Sequence, residues 1–482
     1  MIARRLARRT ITRRLVRGLD DRLRFASAAR TGLAKIFPDH WSFMLGEIAL
    51  YGFVVLILTG IYVTFFFQPS LTETVYHGRY APLAGTEASA AYASTVRLSW
   101  DVRMGLVMRQ AHHWAALIFL AAIVAHLARI FFTGAFRRPR ELNWLVGLTM
   151  LLLAIFNGFS GYSLPDDLLS GVGLRIGYGV MLSIPVVGSW IAFLLFGGEF
   201  PADEIIHRFY VLHILVVPAA IAILLSAHIF ILIRQKHSDF PGPGRREHNV
   251  VGSKFWPTYT LRSVSLLCAV LAASFALGGL VQINPIWLYG PFDPSAVTGP
   301  AQPDWYVGWL EGALRVWPSW ELRASSHTIP NPFVPAVALP AVTFLLLYAW
   351  PFLEQWANHD LEMHQLLDRP RDHPVRLGLG LGVGTFYGLL LAAASNDLIA
   401  RQTHWSVGAV TWAFRVGLVV VPPLVGAVAF VLARALKRSG AAGLMELSWS
   451  EVRLATRRAR VVRPEGGHGV APEPGRLSGE EG

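Results

Sequence analysis

The sequence predicts an all-α membrane protein that crosses a lipid bilayer eight times. First, 53% of its 482 residues are hydrophobic and only 15% are charged, and its mean hydropathy is +0.44, far more apolar than a soluble domain. Second, it contains eight apolar runs of about 20 residues, the length that spans a hydrocarbon core of about 30 Å. Third, positive charge collects at alternate ends of these runs, as expected of cytoplasmic loops.

The eight runs fix the expected topology. They cover residues 43–67, 110–133, 143–163, 207–233, 259–282, 332–354, 376–398 and 407–435. An even number of spans places both termini on one side of the membrane. The arginine-rich segments all fall on that side: the first 30 residues, 137–140, 234–246 and 434–463. The net charge of +12 therefore indicates orientation in the membrane, with this side cytoplasmic, rather than nucleic-acid binding.

Two long loops, 164–206 and 283–331, fall on the opposite, outer side and contain few Lys or Arg. The first includes another apolar run, 176–196, interrupted by Pro185 and Gly188. A ninth span there would reverse the orientation of every later loop, so we expect short helices lying along the surface. Loops of this length are usually functional.

Four histidines lie within two of the predicted helices. His112 and His126 are 14 residues apart on the second helix, and His213 and His228 are 15 apart on the fourth. Such steps return to within about 40° and 60° of the same helix face. A single histidine in a span could simply be a packed residue, but two pairs at matched depths favour axial ligands for two flat metal macrocycles. His113 is a poorer candidate, because its step to His126 rotates it by about 140°.

Glycines repeat the same spacing on the first and third predicted helices. Gly46 and Gly60 are 14 residues apart, as are Gly147 and Gly161. Glycine lets a bulky ring approach the backbone, although small residues can also simply pack helices closely. The single cysteine, Cys268, excludes an internal disulfide, a Cys-bound iron–sulfur cluster and a Cys-x-x-Cys-His attachment site for c-type haem. Any haem would be held by non-covalent ligands.

Three arginines lie near the histidines and toward the predicted membrane surfaces. Arg109, Arg129 and Arg208 are three, three and five residues from His112, His126 and His213. A guanidinium there could pair with a haem propionate. The alternative is ordinary snorkelling of a long side chain toward water.

The residue pattern leaves two other function classes open. One is a di-haem membrane anchor of a hydrogenase or formate dehydrogenase, which explains the histidines but not the two outer loops. The other is a transporter that uses intramembrane histidines as a proton relay, which would contain no haem.

Five segments of the sequence form a specific combination of motifs: Arg109 to Trp144, Arg208 to Pro218, Gly161-Tyr162-Ser-Leu-Pro165, Pro303-Asp304-Trp305-Tyr306 and Ile329-Pro330-Asn331. Together they resemble cytochrome b of respiratory and photosynthetic bc-type complexes, from about residue 40 to about residue 360. The family has Glu where this chain has Asp304. This substitution, the basic ends and the extended tail resemble the actinobacterial, menaquinol-oxidising form.

The resemblance implies two b-type haems. His112 and His213 would ligate the low-potential haem near the outer face, and His126 and His228 the high-potential haem near the cytoplasm. A third, covalently attached haem is not expected, because residues 42–45 read Ser-Phe-Met-Leu and lack a cysteine.

The resemblance also implies quinol oxidation at an outer site formed by Pro303 to Tyr306 with Tyr162 and Pro165. Removing two electrons and two protons from a quinol requires a proton acceptor in an apolar pocket, for which Asp304 is suited. Otherwise Asp304 would merely cap a short helix. A second site near the cytoplasmic haem would reduce quinone, with Arg234, His237 and Asp239 as candidates.

In the implied mechanism, one quinol electron goes to an iron–sulfur partner and on to cytochrome c, and the other crosses through the two haems to reduce quinone. The expected partners are a Rieske iron–sulfur subunit and a cytochrome c or c1-type subunit, including a di-haem form. A cytochrome c oxidase supercomplex, a homodimer and location in the bacterial plasma membrane are also expected.

Four regions follow from these expectations. Residues 1–40 form a basic cytoplasmic segment with no cleavable signal peptide. Residues 41–236 form a four-helix bundle that binds the haems, and residues 237–438 contribute the last four helices. Residues 439–482 form a cytoplasmic tail that is disordered or lies along the surface.

Overall fold

The structure is a computed structural model that describes residues 18, 20–22, 31–296, 302–324 and 327–438. The predicted tail, residues 439–482, lies outside the described residues, as does most of the predicted N-terminal segment.

Within the described residues, eight helices are long and apolar enough to cross a membrane, which confirms the predicted number. They are α1 (Trp41–Thr64), α2 (Gly105–Phe132), α3 (Glu141–Tyr162), α4 (Ile205–Gln235), α5 (Phe255–Leu280), α6 (Val334–Asn358), α7 (Pro374–Ala393) and α8 (Val407–Arg438). Each overlaps one predicted run.

Two boundaries differ most from the apolar runs. α2 begins at Gly105 rather than near residue 110, so that Arg109 lies inside the helix and not before it. α7 ends at Ala393 rather than near residue 398, and a separate helix, Asn396–Thr403, follows. Asn396 explains the break: its side chain accepts a hydrogen bond from Arg315 and donates one to Thr411.

The loops at one end of the helices contact one another; we call this the short-loop end. Strand β1 (Ile36–Pro38) pairs antiparallel with a strand at Gly252–Lys254. Arg137 in the α2–α3 loop forms an ion pair with Asp368 in the α6–α7 loop at 2.8 Å. These contacts hold together the segments that the charge pattern assigned to one side.

The opposite, long-loop end carries the surface elements. Its helices are Ala90–Trp100, Leu168–Leu182, Gly188–Phe196, Ile286–Tyr289, Trp305–Val316 and Asn396–Thr403, and its paired strands are Glu73–Val75 with Glu87–Ser89 and Leu322–Ala324 with His327–Ile329. The predicted outer loop 164–206 thus forms two short helices. Arg175 of this loop donates to the carbonyl of Pro294 at 3.2 Å, linking the two predicted outer loops.

The first four spanning helices form two pairs, with α1 packed on α2 and α3 packed on α4. Midway along them lies an apolar layer that takes a residue from each helix: Phe53, Phe119, Leu151 and Ile221. This layer separates the level of His112 and His213 from that of His126 and His228. α5 packs outside α1 and α2, and α7 packs on α8.

α4 contains a wide, π-helical turn at Leu212–Val216 that includes His213. Pro218, which has no backbone N–H to donate, lies two residues after this turn. A π-helical turn accommodates one residue more than an α-helical turn. The wide turn therefore absorbs the extra residue in the 15-residue step from His213 to His228, so that both helices present their histidines with nearly the same phase.

Candidate functional site

The outer pair, His112 and His213, face each other across the gap between α2 and α4. Their ring centroids are 6.2 Å apart. A metal–imidazole nitrogen bond is about 2 Å long, so two such bonds to one ion, with about 1 Å from each nitrogen to its ring centroid, need roughly this separation. The spacing therefore fits one metal ion held between the two rings.

Hydrogen bonds orient both rings of the outer pair. The Thr59 hydroxyl donates to the carbonyl of Val55 at 2.7 Å and lies 2.9 Å from His112 Nδ1, so it accepts from that nitrogen. His213 Nδ1 donates to the carbonyl of Asn157 at 2.9 Å. A proton on Nδ1 leaves Nε2 of each neutral ring with a free lone pair, the state in which imidazole binds metals.

The inner pair consists of His126 on α2 and His228 on α4. Their Nδ1 atoms are buried and, in the described part of the chain, make no hydrogen bond. A buried polar atom without a partner is costly. The inner rings are thus less constrained by the protein than the outer rings.

Each of the four predicted glycines faces one of the four histidines. A Cβ atom would lie 3.2 Å from His126 at Gly46, 3.1 Å from His112 at Gly60, 3.7 Å from His228 at Gly147 and 2.2 Å from His213 at Gly161. The last distance is far inside van der Waals contact, whereas 3.7 Å is ordinary packing. The glycines therefore make room for the histidine rings, most stringently at Gly161.

Two of the three predicted arginines carry buried nitrogen atoms without partners among the described residues: Nε of Arg109, and Nε and Nη2 of Arg129. A buried guanidinium calls for an anion, so both fit the propionates of a bound haem. Arg208 is directed elsewhere, because its Nη1 donates to the carbonyl of Leu194 at 2.6 Å on helix Gly188–Phe196. Facing imidazoles, glycine cradles and unpaired guanidinium nitrogens together fit b-type haem.

A cavity of about 510 Å³ extends from the outer pair toward the long-loop end. Among the predicted residues, its lining includes Gly60, Arg109, His112, Gly161, Tyr162, Pro165, His213, Asp304 and Tyr306. Pro303 and Trp305 are not among its lining residues; the ring of Trp305 lies edge-on to that of Tyr306, with centroids 6.2 Å apart. The cavity thus brings the outer histidines and the Asp304 motif into one space.

Asp304 and Tyr306 meet a residue on α2 that the sequence analysis set aside. His113 Nε2 lies 2.9 Å from each carboxylate oxygen of Asp304, and the Tyr306 hydroxyl donates to the same carboxylate at 3.3 Å. Asp304 occupies the position before helix Trp305–Val316, but its side chain makes no capping hydrogen bond. Its contacts therefore do not match a simple helix cap.

Tyr306 is buried, and its ring lies against Gly158, where a Cβ atom would be 2.7 Å from the phenol oxygen. Burial, with the nearby carboxylate of Asp304, holds the pKa of Tyr306 well above its ordinary value. The hydroxyl therefore stays protonated and can donate.

The three residues predicted for quinone reduction have different surroundings at the short-loop end. Arg234 is exposed. Asp239 is buried and forms an ion pair with Arg245 at 3.1 Å, and it also accepts from the backbone N–H of Phe240. His237 packs on the ring of Phe37, with centroids 4.5 Å apart, and burial followed by the charge of Lys35 lowers its pKa to about 4.

Sequence reasoning missed four residues that shape this site: His113, Thr59, Asn157 and Gly158. Gly158 had a visible signal, because it precedes Gly161 by one helical turn. Thr59 also had a signal, because it is the neighbour of Gly60 in the sequence. Asn157 acts through its backbone carbonyl, and the partner of His113 is 191 residues away in sequence, so neither contact could be read from spacing.

Comparisons with known proteins agree with this geometry. Residues 117–291 match the family model described as "Cytochrome b(N-terminal)/b6/petB". A protein from Mycobacterium leprae is 51% identical over 427 residues, covering 88% of this chain and 77% of the relative. A relative from Corynebacterium diphtheriae is 48% identical, covering 87% and 78%, and one from Streptomyces coelicolor is 49% identical, covering 84% and 74%.

All three relatives are named cytochrome bc1 complex cytochrome b subunit. A solved structure titled "Hyperthermophilic respiratory Complex III" has a similar fold, with a TM-score of 0.62 and 21% identity over 86% of this chain and 99% of that one. The predicted resemblance to the actinobacterial form is confirmed.

Proposed function

The chain belongs to the cytochrome b subunits of the cytochrome bc1 complex, and on this basis we propose that it oxidises quinol at its long-loop end and delivers electrons toward quinone at its short-loop end. It is a multi-pass membrane subunit of a quinol:cytochrome c oxidoreductase. The observation that carries the proposal is the cavity shared by the outer pair and Asp304. Family membership sets aside the hydrogenase-type anchor and the transporter.

We propose that the four histidines hold two b haems without covalent attachment. His112 and His213 would hold the outer, low-potential haem, and His126 and His228 the inner, high-potential one. Bound there, the haems would supply one-electron carriers at two depths of the membrane. The protein's own contribution is to orient the outer rings through Thr59, to leave room at the glycines and to offer Arg109 and Arg129 to anionic groups. Arg208 supports helix Gly188–Phe196 instead.

In the cavity, Asp304 is the proposed acceptor for a quinol proton. Its carboxylate lies at the wall, next to the hydroxyl of Tyr306, which stays protonated, donates to Asp304 and can accept a hydrogen bond from a quinol hydroxyl. Tyr162 offers a second hydroxyl, and Pro165 forms part of the apolar wall. Pro303 and Trp305 do not line the cavity; they set the start of helix Trp305–Val316, which carries Tyr306.

The two electrons of the quinol divide in this proposal. One leaves for a Rieske iron–sulfur partner and a cytochrome c or c1-type subunit, including a di-haem form, and the other is carried across this chain. That division couples quinol oxidation to the proton gradient. The menaquinol specificity, the homodimer and the cytochrome c oxidase supercomplex are proposed from the similarity to actinobacterial relatives.

The proposed quinone-reduction site lies beside the inner pair at the short-loop end. His237 is the candidate among the three predicted residues, because Asp239 is engaged with Arg245 and the loop backbone. The short-loop end is also the proposed cytoplasmic side of a bacterial plasma membrane. Its basic loops, which include Arg137, Arg138 and Arg140, support that orientation.

The test is purification of the intact complex from membranes in mild detergent. We expect a reduced-minus-oxidised spectrum of b-type haem, co-purifying iron–sulfur and cytochrome c subunits, and bound menaquinone. Replacing His126 or His228 with Ala should lower the haem content per protein and the α-band absorbance. An unchanged spectrum and haem content in both variants would contradict the proposed ligands.

A further inference from the structure

The carboxylate of Asp304 has two ways to satisfy its oxygen atoms. An Asp at this position, immediately before a helix, normally accepts hydrogen bonds from the backbone N–H groups of the first turn. Asp304 does not do so. Both of its oxygen atoms lie 2.9 Å from Nε2 of His113, so the carboxylate turns away from its own helix and toward α2.

α2 directs two adjacent histidines to different tasks. Neighbouring side chains on an α-helix point about 100° apart. The ring of His112 therefore faces His213 across the gap between helices, while the ring of His113 faces Asp304. Both His112 and His113 line the cavity. His113 is thus a cavity residue that the proposed haem-binding set does not use.

The hydrogen bond from His113 is the stronger of the two that hold the carboxylate. The side chains of His113 and Asp304 are only 15% and 16% exposed, and the distance of 2.9 Å between them is typical of a well-formed hydrogen bond. The bond from the Tyr306 hydroxyl is longer, at 3.3 Å. Removing the imidazole would leave Asp304 free to turn toward the N–H groups of its own helix.

We propose that His113 is a positioning residue that holds the carboxylate of Asp304 at the cavity wall. The Nε2–H group donates to Asp304 and prevents it from capping helix Trp305–Val316. This matters more for Asp than for Glu, because the side chain is one methylene shorter and has less reach toward a substrate. The inference rests on the proposed role of Asp304 in quinol oxidation.

The test is steady-state kinetics of the intact complex with a water-dispersible menaquinol analogue. The variants are His113→Leu, His113→Gln, Asp304→Asn and the double variant His113→Leu/Asp304→Asn. The control is His207→Leu, which changes an exposed histidine at the same end of the molecule. The haem spectrum and the haem content per protein are recorded for each.

We expect His113→Leu to lower kcat about 10-fold or more, in line with the sensitivity of catalysis to small misplacements, with KM within about threefold of the parent. The glutamine variant keeps a donor and should recover most of kcat. In the Asp304→Asn background, the leucine substitution should add little, because His113 acts through Asp304. Haem content and the His207→Leu control should be unchanged.

Two outcomes would overturn the inference and leave the proposed function standing. One is that the losses of kcat from the two substitutions multiply in the double variant. The other is that kcat is unchanged in His113→Leu but lowered in Asp304→Asn. Loss of haem from His113→Leu would also overturn it. An unchanged kcat for Asp304→Asn would instead refute the proposed role of Asp304. If the leucine variant does not assemble, His113→Asn replaces it. Its amide is one methylene shorter than that of the glutamine variant, so equal activity of these two variants would count against the inference.

Discussion

A Cβ atom added to Gly161 would lie 2.2 Å from Cε1 of His213, closer than two non-bonded carbon atoms can approach. The corresponding distance from Gly147 to His228 is 3.7 Å, an ordinary contact. The two glycines occupy α3 at levels 14 residues apart, yet only one of them is sterically obligatory. On α3, the contact with His213 is therefore built to a tighter tolerance than the contact with His228.

We predict that Gly161→Ala will displace His213 and selectively lower the content of the outer haem. The reason is that α3 or the His213 ring must move to admit the methyl group. Low-temperature difference spectra and haem content per protein measure the effect. Gly147→Ala is the matched control and should retain its haem; equal losses in both variants would show that the contact at Gly161 is not limiting.

Thr59→Val should weaken haem binding by the outer pair and alter its redox potential. The substitution removes the oxygen that accepts from His112 Nδ1 while keeping the shape of the side chain. Loss of such a hydrogen bond behind a metal-binding histidine typically costs about 10- to 100-fold in metal affinity. Potentiometric titration of the haem bands measures the change.

The control for Thr59 is Thr149→Val. Thr149 also lies within a spanning helix, but its hydroxyl contacts that of Tyr348 rather than a histidine. Its substitution should leave both haem potentials in place. A potential shift of the same size in both variants would point to a general effect on packing.

Gly158→Ala should impair quinol oxidation without loss of haem. The added Cβ atom would collide with the Tyr306 phenol at 2.7 Å, and displacement of a positioned group by about 1 Å can cost roughly 100-fold in rate. Turnover of the intact complex is the measurement. Gly179→Ala, where the added atom meets nothing within 4 Å, is the control and should keep full turnover.

Asp166→Asn should make the stability of the complex less dependent on pH. Burial raises the pKa of Asp166 to about 7 from an ordinary 3.8, although a hydrogen bond from Ser89 opposes the shift. The folded chain therefore binds more protons than the unfolded chain between these two values, and the stability that this group contributes is lost as the pH rises from about 4 through 7. Asp166 has a φ of 53°, which asparagine tolerates well.

The measurement is the thermal unfolding midpoint between pH 5 and pH 8. The parent should lose more stability than Asp166→Asn across this range, so that the variant is the more stable of the two by a few degrees at pH 8. Asp293→Asn serves as the control, because hydrogen bonds from Ser295 lower the pKa of the exposed Asp293 instead. A pH profile of Asp166→Asn parallel to that of the parent would contradict the prediction.

Much of the architecture could be predicted because a spanning helix has a simple sequence signal. Apolar runs located all eight spans, and the charge pattern indicated which loops meet; the ion pair of Arg137 with Asp368 joins two of those loops. The glycine spacing correctly indicated that each glycine lies level with a histidine. It could do so because α1, α2 and α3 are regular helices at these positions.

The remainder of the site depends on contacts between distant segments. Helix geometry correctly separated His113 from His112 in direction, but it could not identify what His113 would face, because Asp304 arrives from a loop 191 residues later. Arg208 shows the opposite case. Its position five residues before His213 suggested a haem partner. In the structure it donates to a carbonyl group of the surface helix Gly188–Phe196. The sequence pattern does not show where that helix lies.

The wide turn at Leu212–Val216 has a consequence for how this bundle can vary. In a regular helix, an inserted residue would rotate everything beyond it by about 100° and carry His228 off the side that holds its partner. Because α4 accommodates the additional residue within the π-helical turn near Pro218, the helix regains its normal phase before His228. Chains of this kind can therefore differ by a residue in length at that point and still direct both histidines of this helix toward their partners on α2.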